Sequence, residues 1–356
     1  MTGIIVFARC ELNTKVKWVE TGGLGVGVWG MGNKGAVGVR LGVRRGGGEG
    51  TETVLTFVAA HLAPMEEKWE RRNEDWKNIC EGLVFEMMSG EPRSESKQSE
   101  TEESEPLLAS DQSQGGSASR GMFSPASNLF FAGDLNYRTS DTAPEPSEHH
   151  TWPQPTDSTS EADHYSHFLP RDQLTRELAA NKTLHNLAEA PIDFPPTYKY
   201  STAAQKHALD SLSLQTRTLA DGRVVHTTEL APRGEEEVWL WAKHRVPSWC
   251  DRVLFLKAAK PKVHAYAALP VQPTSDHRPV ALYCTLPAKG LEGAEVHSPF
   301  QIRNDWRERR AAAKRYELIV GFWAYLALTW EGEALLLGSV VGIIGGYLVL
   351  KALLGT

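Results

Sequence analysis

The segment that most restricts what this chain can become is 128–133, Asn-Leu-Phe-Phe-Ala-Gly, a short buried strand that runs straight into Asp134-Leu135-Asn136-Tyr137. A polar cluster at the end of such a strand is where rigid scaffolds present chemistry. Further strands read from the apolar runs 37–41, 54–60, 253–256 and 280–283. Residues 66–88 have the i, i+3, i+4 spacing of an amphipathic helix, with Trp69, Trp76, Ile79, Leu83 and Val84 on its apolar side. A second helix reads from 171–190 and is ended by Pro195-Pro196. Short strands interleaved with helices make the fold class α/β. Residues 4–7, Ile-Ile-Val-Phe, also read as a strand, so the domain is expected to begin inside a strand and to lack its N-terminal portion.

Two segments have little to bury. Residues 89–127 are rich in Ser, Glu, Gln and Gly, with seven acidic and three basic residues, and 139–163 are rich in Pro, Ser, Thr and Asp. Both are expected as disordered insertions. His149 and His150 lie in the second, where a flexible loop gives them no fixed geometry for a metal. The net charge of −6 over 356 residues offers no bulk attraction to nucleic acid, so any anion site must be a local cluster of Lys and Arg. The four cysteines are far apart without CxxC spacing, which disfavours a zinc site and a disulfide scaffold. Residues 1–7 have neither the basic start nor the apolar length of a signal peptide.

Gly25-Val26-Gly27-Val28-Trp29-Gly30 and Gly30-Met31-Gly32-Asn33-Lys34-Gly35 both satisfy GxGxxG. That fingerprint needs a helix after it, whereas a strand-like alternation follows, so a tight hairpin turn presenting Asn33 and Lys34 is expected. Asn181-Lys182-Thr183 has glycosylation spacing but falls on an expected helix of a cytosolic domain, where it is a chance match. The stronger set is dispersed: His61 at one strand end, Asp134 and Asn136 at another, Asp251 and Arg252 entering a third, and Asp276-His277 before a fourth. Carboxylates, imidazoles and an amide at strand ends are the parts for metal-assisted attack of water on a phosphate.

These residues sit within a longer series: Gly32-Asn33-Lys34-Gly35, His61-Leu62, Gly133-Asp134-Leu135-Asn136-Tyr137-Arg138, Pro196-Thr197-Tyr198-Lys199-Tyr200, Lys243 and Arg245 followed by Val246-Pro247-Ser248-Trp249-Cys250-Asp251-Arg252, and Ser275-Asp276-His277-Arg278-Pro279-Val280. The series resembles the signatures of inositol-polyphosphate 5-phosphatases, in family order across residues 1–287. The resemblance implies the fold of the endonuclease/exonuclease/phosphatase superfamily, two packed mixed β-sheets flanked by helices in a DNase I-like four-layer sandwich. It further implies that Asp134 activates the attacking water. Asn136 and His277 would donate to phosphate oxygens, Asp251 would orient His277, and His61 would complete the phosphate cage. Tyr198, Lys199, Lys243 and Arg245 would hold the 4-phosphate, with Asn33, Lys34 and Arg252 also on substrate. The implied cofactor is Mg²⁺ with Asp276 beside it, and the family's main Glu ligand has no counterpart in this sequence. The reaction implied is removal of the 5-phosphate from a phosphoinositide such as phosphatidylinositol 4,5-bisphosphate. The alternatives are a catalytically impaired phosphoinositide-binding homologue on a membrane, or a nuclease of the same superfamily. The phosphate-clamp residues speak against the nuclease.

Residues 303–315 carry six basic and two acidic residues, and 288–315 read as a basic connector. An uncharged run of 13 residues, 318–330, follows, within a segment 316–333 expected to lie in a membrane interface or to form half of a hairpin. A second uncharged run of 17 residues, 334–350, reads within 334–354 as a transmembrane helix. The basic block predicts a cytosolic catalytic domain by the positive-inside tendency, and the resemblance extends to tail-anchored fungal-type enzymes of the endoplasmic reticulum. Gly338, Gly342 and Gly346 form a small-residue stripe compatible with helix pairing.

Overall fold

The computed structural model describes residues 2–44, 52–87, 120–124, 127–218, 223–230, 238–287, 291 and 296–355. In chain order the elements are α1 (Cys10–Asn13), β1 (Val16–Gly25), β2 (Gly35–Arg44), β3 (Glu52–His61), α2 (Trp69–Gly82), β4 (Glu86–Met87), β5 (Ser127–Asp134), α3 (Gln173–Ala179), β6 (Leu187–Glu189), α4 (Thr202–Asp210), β7 (Leu212–Thr218), β8 (Val224–Leu230), β9 (Asp251–Leu256), β10 (Lys262–Ala268), β11 (Val280–Thr285), α5 (Trp306–Leu328) and α6 (Trp330–Leu354). Seven strands form one mixed sheet in the order β4-β1-β2-β3-β5-β9-β6, with β3 and β5 parallel and every other pair antiparallel. The chain is thus mixed α/β with a central sheet flanked by helices. The second sheet is narrow: β10 and β11 pair antiparallel, and single bridges join Tyr198 to Ser248 and to His277.

Register decides where the chemistry falls. Gly35 pairs with His61, His61 with Asp134, and Asp134 with Asp251, so one row crosses β2, β3, β5 and β9 at one end of the sheet. The middle of the sheet holds this row in place. Val58 and Ala60 on β3 and Leu129 and Phe131 on β5 are buried beside Trp76, Ile79 and Cys80 of α2, with Trp76 edge-on to Phe131 at 5.2 Å. Side chains spaced i, i+3, i+4 on one helix face meet strand residues spaced by two, as the two periodicities require. A second core, of Trp152, Phe194, Tyr200, Trp239, Trp241 and Trp249, lies in the loop-rich half against β10 and β11.

Several sequence expectations change. Residues 4–7 join no strand, and Ile5 and Phe7 stay exposed, because an apolar run becomes a strand only with a ladder partner. The helix expected over 66–88 is α2, which stops at Gly82, and the apolar Leu83-Val84-Phe85 runs extended into β4 instead of completing it. The helix expected over 171–190 shrinks to α3, capped by Asp172, whose carboxylate accepts from Thr175 N at 2.9 Å. Asn181, Leu184 and Asn186 then adopt positive φ, which no α-helix accommodates. Residues 139–163, though largely at the surface, are held to the domain rather than disordered, with Thr139, Trp152 and Pro153 buried. Trp152 is 1% exposed, Trp241 Nε1 donates to Pro153 O, and Gln154 exchanges hydrogen bonds with the backbone of Trp239. Of the other expected insertion, 89–119 and 125–126 lie outside the described residues, while Met122 and Phe123 join the main core. The turn carrying Asn33 and Lys34 is not tight: nine residues, 26–34, join β1 to β2 through a 3₁₀ turn at Val28–Gly30. In the tail, α5 runs without interruption from the basic connector into the apolar segment, and the break between α5 and α6 falls at Thr329. α6 is long and apolar enough to cross a membrane.

Candidate active site

Each member of the row arrives at the rim for a local reason. β5 ends on Gly133, whose φ of +134° belongs to glycine and where a Cβ would collide with the carbonyl oxygen of Ala60 on β3. The close approach that glycine allows brings Asp134 beside His61, with Oδ2 3.2 Å from His61 Nε2. The chain then turns at Asn136, in the left-handed region that Asn tolerates. There the backbone N–H of Asn136 donates to Asp134 Oδ1 at 3.1 Å, and its amide donates to Asp134 Oδ2 at 3.1 Å and to Leu62 O at 3.2 Å. Arg138 completes the clamp by donating to Asn136 Oδ1 at 2.6 Å. Both amide hydrogens of Asn136 are therefore committed, and its role in this geometry is to fix Asp134.

From the opposite side, His277 Nδ1 lies 2.8 Å from Asp251 Oδ2, which also accepts from Thr197 Oγ1 at 2.7 Å. The Tyr198 ring packs between His277, 4.6 Å away, and the Arg138 guanidinium, 4.3 Å away. With Nδ1–H on Asp251, Nε2 of His277 is the nitrogen left for a ligand, and it donates when the ring is protonated. Ligand atoms of Asp134, Asp251 and His277 all lie within 4.8 Å of one another.

The electrostatics are sharply divided. Burial penalises the Asp134 carboxylate, but the hydrogen bond from His61 and the charges of His277, His61 and Arg138 outweigh it and hold Asp134 below the ordinary Asp range. Burial raises Asp251 above that range, more than its bond to His277 lowers it. Burial also disfavours protonated His277, yet Asp251, Asp134 and Asp276 together push its pKa up. Asp276 loses some solvation but sits low because Lys199 donates to it at 2.6 Å. Burial lowers Lys34, whose Nζ contacts His61 Nε2. One ring nitrogen of His61 serves both neighbours, so it accepts from Lys34 or donates to Asp134 but not both.

Beside this centre lies a cavity of about 670 Å³ lined by Lys199, Lys243, Asp276, Trp152, Trp239 and Trp241 among others. Lys199 and Lys243 thus face one space. Arg245 is turned toward Glu66, 3.6 Å away, and Met65. His149, excluded from a fixed site by the sequence, also lines the cavity because its segment is packed. Two expected substrate residues are not brought in. Asn33 is exposed on the 26–34 connection, with Oδ1 filling the space beside Gly27 that any Cβ there would need. Arg252 is 1% exposed and lies between Asp172, at 2.9 and 3.1 Å, and Glu189, at 2.5 and 2.7 Å. A guanidinium with two buried carboxylate partners ties β9 to β6 and to the start of α3. Thr197 and Arg138, which fix Asp251 and Asn136, drew no role of their own from the sequence; their signal was position inside stretches read for other residues.

The donor chemistry fits a hard divalent cation. Asp134 and Asp276 both titrate below the ordinary Asp range and both act electrostatically on His277, and Mg²⁺ characteristically takes one or two carboxylates with water and substrate phosphate filling the rest.

Carboxylates and imidazoles gathered at one end of a mixed sheet make a donor set suited to metal-assisted chemistry on a phosphate ester. Residues 2–216 and 228–283 match the model of Endonuclease/Exonuclease/phosphatase family 2, and the chain belongs to that family. Within it, the chain is similar to a mouse type II inositol 1,4,5-trisphosphate 5-phosphatase, 25% identical over 279 residues, covering 78% of this chain and 21% of the relative. It is likewise similar to inositol-1,4,5-trisphosphate 5-phosphatase 1 of Schizosaccharomyces pombe, 26% identical over 280 residues, 78% of this chain and 18% of the relative. A type II inositol polyphosphate 5-phosphatase of Arabidopsis thaliana is 28% identical over 301 residues, covering 78% and 22%. The chain spans about a fifth of the length of these relatives. Among solved structures, the inositol polyphosphate 5-phosphatase domain of SPsynaptojanin, in complex with inositol (1,4)-bisphosphate and calcium ion, aligns over 90% of this chain and 69% of its own with 21% identity and a TM-score of 0.48.

Proposed function

We propose that this chain is a Mg²⁺-dependent phosphoinositide 5-phosphatase acting on phosphatidylinositol 4,5-bisphosphate at a membrane. The observation that carries the reading is the row His61–Asp134–Asp251 with His277 closed onto Asp251 at 2.8 Å. Asp134, ionised and aimed by Asn136, takes a proton from the water that attacks phosphorus as the bond to the inositol 5-oxygen breaks, and that oxygen leaves with a proton from solvent. Protonated His277 presents Nε2–H to a non-bridging phosphate oxygen, and Asp251 stabilises the imidazolium as negative charge builds on the phosphate. Lys34 adds a cation on the His61 side. Mg²⁺, held by Asp134 and Asp276, would supply Lewis-acid polarisation of the phosphate. Lys199, Lys243, Arg245 and Tyr198 would select substrate through the phosphate that does not react, since binding energy from remote groups is spent on the reacting centre.

α6 would anchor the chain in the endoplasmic reticulum membrane with the catalytic domain on the cytosolic side, and a helix stripe of Gly338, Gly342 and Gly346 would be available for pairing, as among the described residues nothing but the helix's own backbone comes within 4 Å of a Cβ placed there. Incubation with inositol 1,4,5-trisphosphate and Mg²⁺ tests the chemistry apart from the membrane. Phosphate release abolished by chelation and by His277→Asn supports it; binding without release points to the impaired homologue.

A further inference from the structure

The first half of α5 does not hang free of the domain. Arg303 donates to Glu81 through its backbone N–H at 2.9 Å and through its guanidinium at 2.6 Å, and Arg310 pairs with Glu86 at 2.9 Å. Farther along, Ala313 lies 3.4 Å from where a Cβ of Gly30 would stand. Tyr316 packs on Trp29 with ring centroids 5.4 Å apart, and Glu317 Oε1 accepts from Gly32 N at 2.6 Å. Immediately after Glu317 the helix becomes apolar, from Leu318 to Leu328, and mostly exposed, with Leu326 buried.

What α5 grips is the 26–34 connection. That connection is tied internally by Gly30 N to Gly27 O, Gly27 N to Met31 O and Val26 N to Lys34 O, at 3.0, 3.1 and 2.8 Å. Its last residue, Lys34, reaches His61, and His61 reaches Asp134. A backbone N–H held by a carboxylate is a charge-assisted bond, and it sits two residues from the lysine. A tether needs no such contact; the chain leaving the domain toward α6 would anchor it equally well from any exposed face.

We propose that Glu317 is a positioning residue: by holding Gly32, with Tyr316 on Trp29, it fixes the 26–34 connection and through it Lys34 at the phosphate site, so phosphate binding depends on how α5 is seated. The inference rests on reading the His61–Asp134–Asp251 row as a phosphate site. Its ligand is a phosphate dianion, and inorganic phosphate serves as the probe.

The test uses the full chain in detergent micelles and two measurements. Hydrogen exchange over 26–34 reports the grip alone, since local opening sets amide exchange. Glu317→Ala should accelerate exchange there, and Glu317→Gln, which keeps the acceptor oxygen, should restore protection. Calorimetric phosphate affinity reports the coupling. It should fall about tenfold in Glu317→Ala, the scale on which orienting partners act, and return in Glu317→Gln. In a double-mutant cycle with Lys34→Ala the two losses should not add, a result that a merely stabilising contact would not give. Unchanged exchange in Glu317→Ala, or additive losses, overturns the proposal. A wild-type chain that binds no phosphate overturns the phosphate-site reading and the inference with it, while the exchange result still shows whether α5 grips the connection.

Discussion

Asp134 and His277 shift in opposite directions, as the base and the charged donor proposed for them require. A base must be ionised and an electrophilic imidazolium must be protonated, so activity is expected only where both hold. Falling pH protonates Asp134 as it passes the depressed pKa, below the ordinary 3.8, and rising pH deprotonates His277 as it passes the raised pKa, above the ordinary 6.5. A pH–rate profile should therefore be bell-shaped, and its alkaline limb should move to lower pH in Asp251→Asn. The same shifts act on stability. His277 contributes fully below pH 6.5 and loses that contribution as pH rises through its folded-state pKa, so His277→Ala should flatten the pH dependence of unfolding on the alkaline side. Asp134 works the other way, contributing above pH 3.8 and losing it as pH falls. Asp134→Asn keeps the shape but removes the base, and should lower kcat by about 10²–10⁴ at an unchanged fold.

At the scale of elements, Arg252 shows how a charge can look functional in sequence and be structural. It follows Asp251 directly, but successive strand residues face opposite sides, so Asp251 points to the centre while Arg252 points into the seam between β9, β6 and α3. Arg252→Met leaves Asp172 and Glu189 buried without their partner and should cost about 3–5 kcal/mol in chemical denaturation, with no specific effect on substrate affinity. Trp152→Ala tests whether 139–163 is a packed element: a fully buried indole should cost about 3–5 kcal/mol, whereas a disordered segment would cost none.

These cases show what the sequence exposed and what it hid. β3, β5, β9 and β11 were legible because each holds a largely apolar run, β2 because Val37, Val39 and Leu41 alternate along it, and the centre was legible because strand ends carry polar residues in short stretches. β1, with Lys17, Glu20 and three glycines, lacks that signal, and its pairing with β2 comes from register. Residues 139–163 misled because a Pro- and Ser-rich segment can be held by one tryptophan, and 171–190 because positive φ at Asn181, Leu184 and Asn186 is not written in hydrophobic spacing. The long-range contacts of α5 with 26–34 could not be read at all, since they join segments almost 300 residues apart.

For the whole molecule, the exposed apolar residues of the second half of α5 and of α6 beyond Glu333 are surface that water does not favour. Removing 330–356 should shift the protein from the pelleted to the soluble fraction of lipid vesicles while leaving turnover of soluble inositol phosphate within about twofold, because tethering acts through local concentration. On this proposal membrane attachment and phosphate chemistry are separable, the second resting on the row at the end of the sheet. The most direct measurement is the product formed from phosphatidylinositol 4,5-bisphosphate in vesicles with Mg²⁺, resolved by position of the remaining phosphate. Loss of the 5-phosphate with the 4-phosphate retained, abolished in Asp134→Asn, is the expected result. Release of the 4-phosphate, or equal turnover by Asp134→Asn, would contradict it.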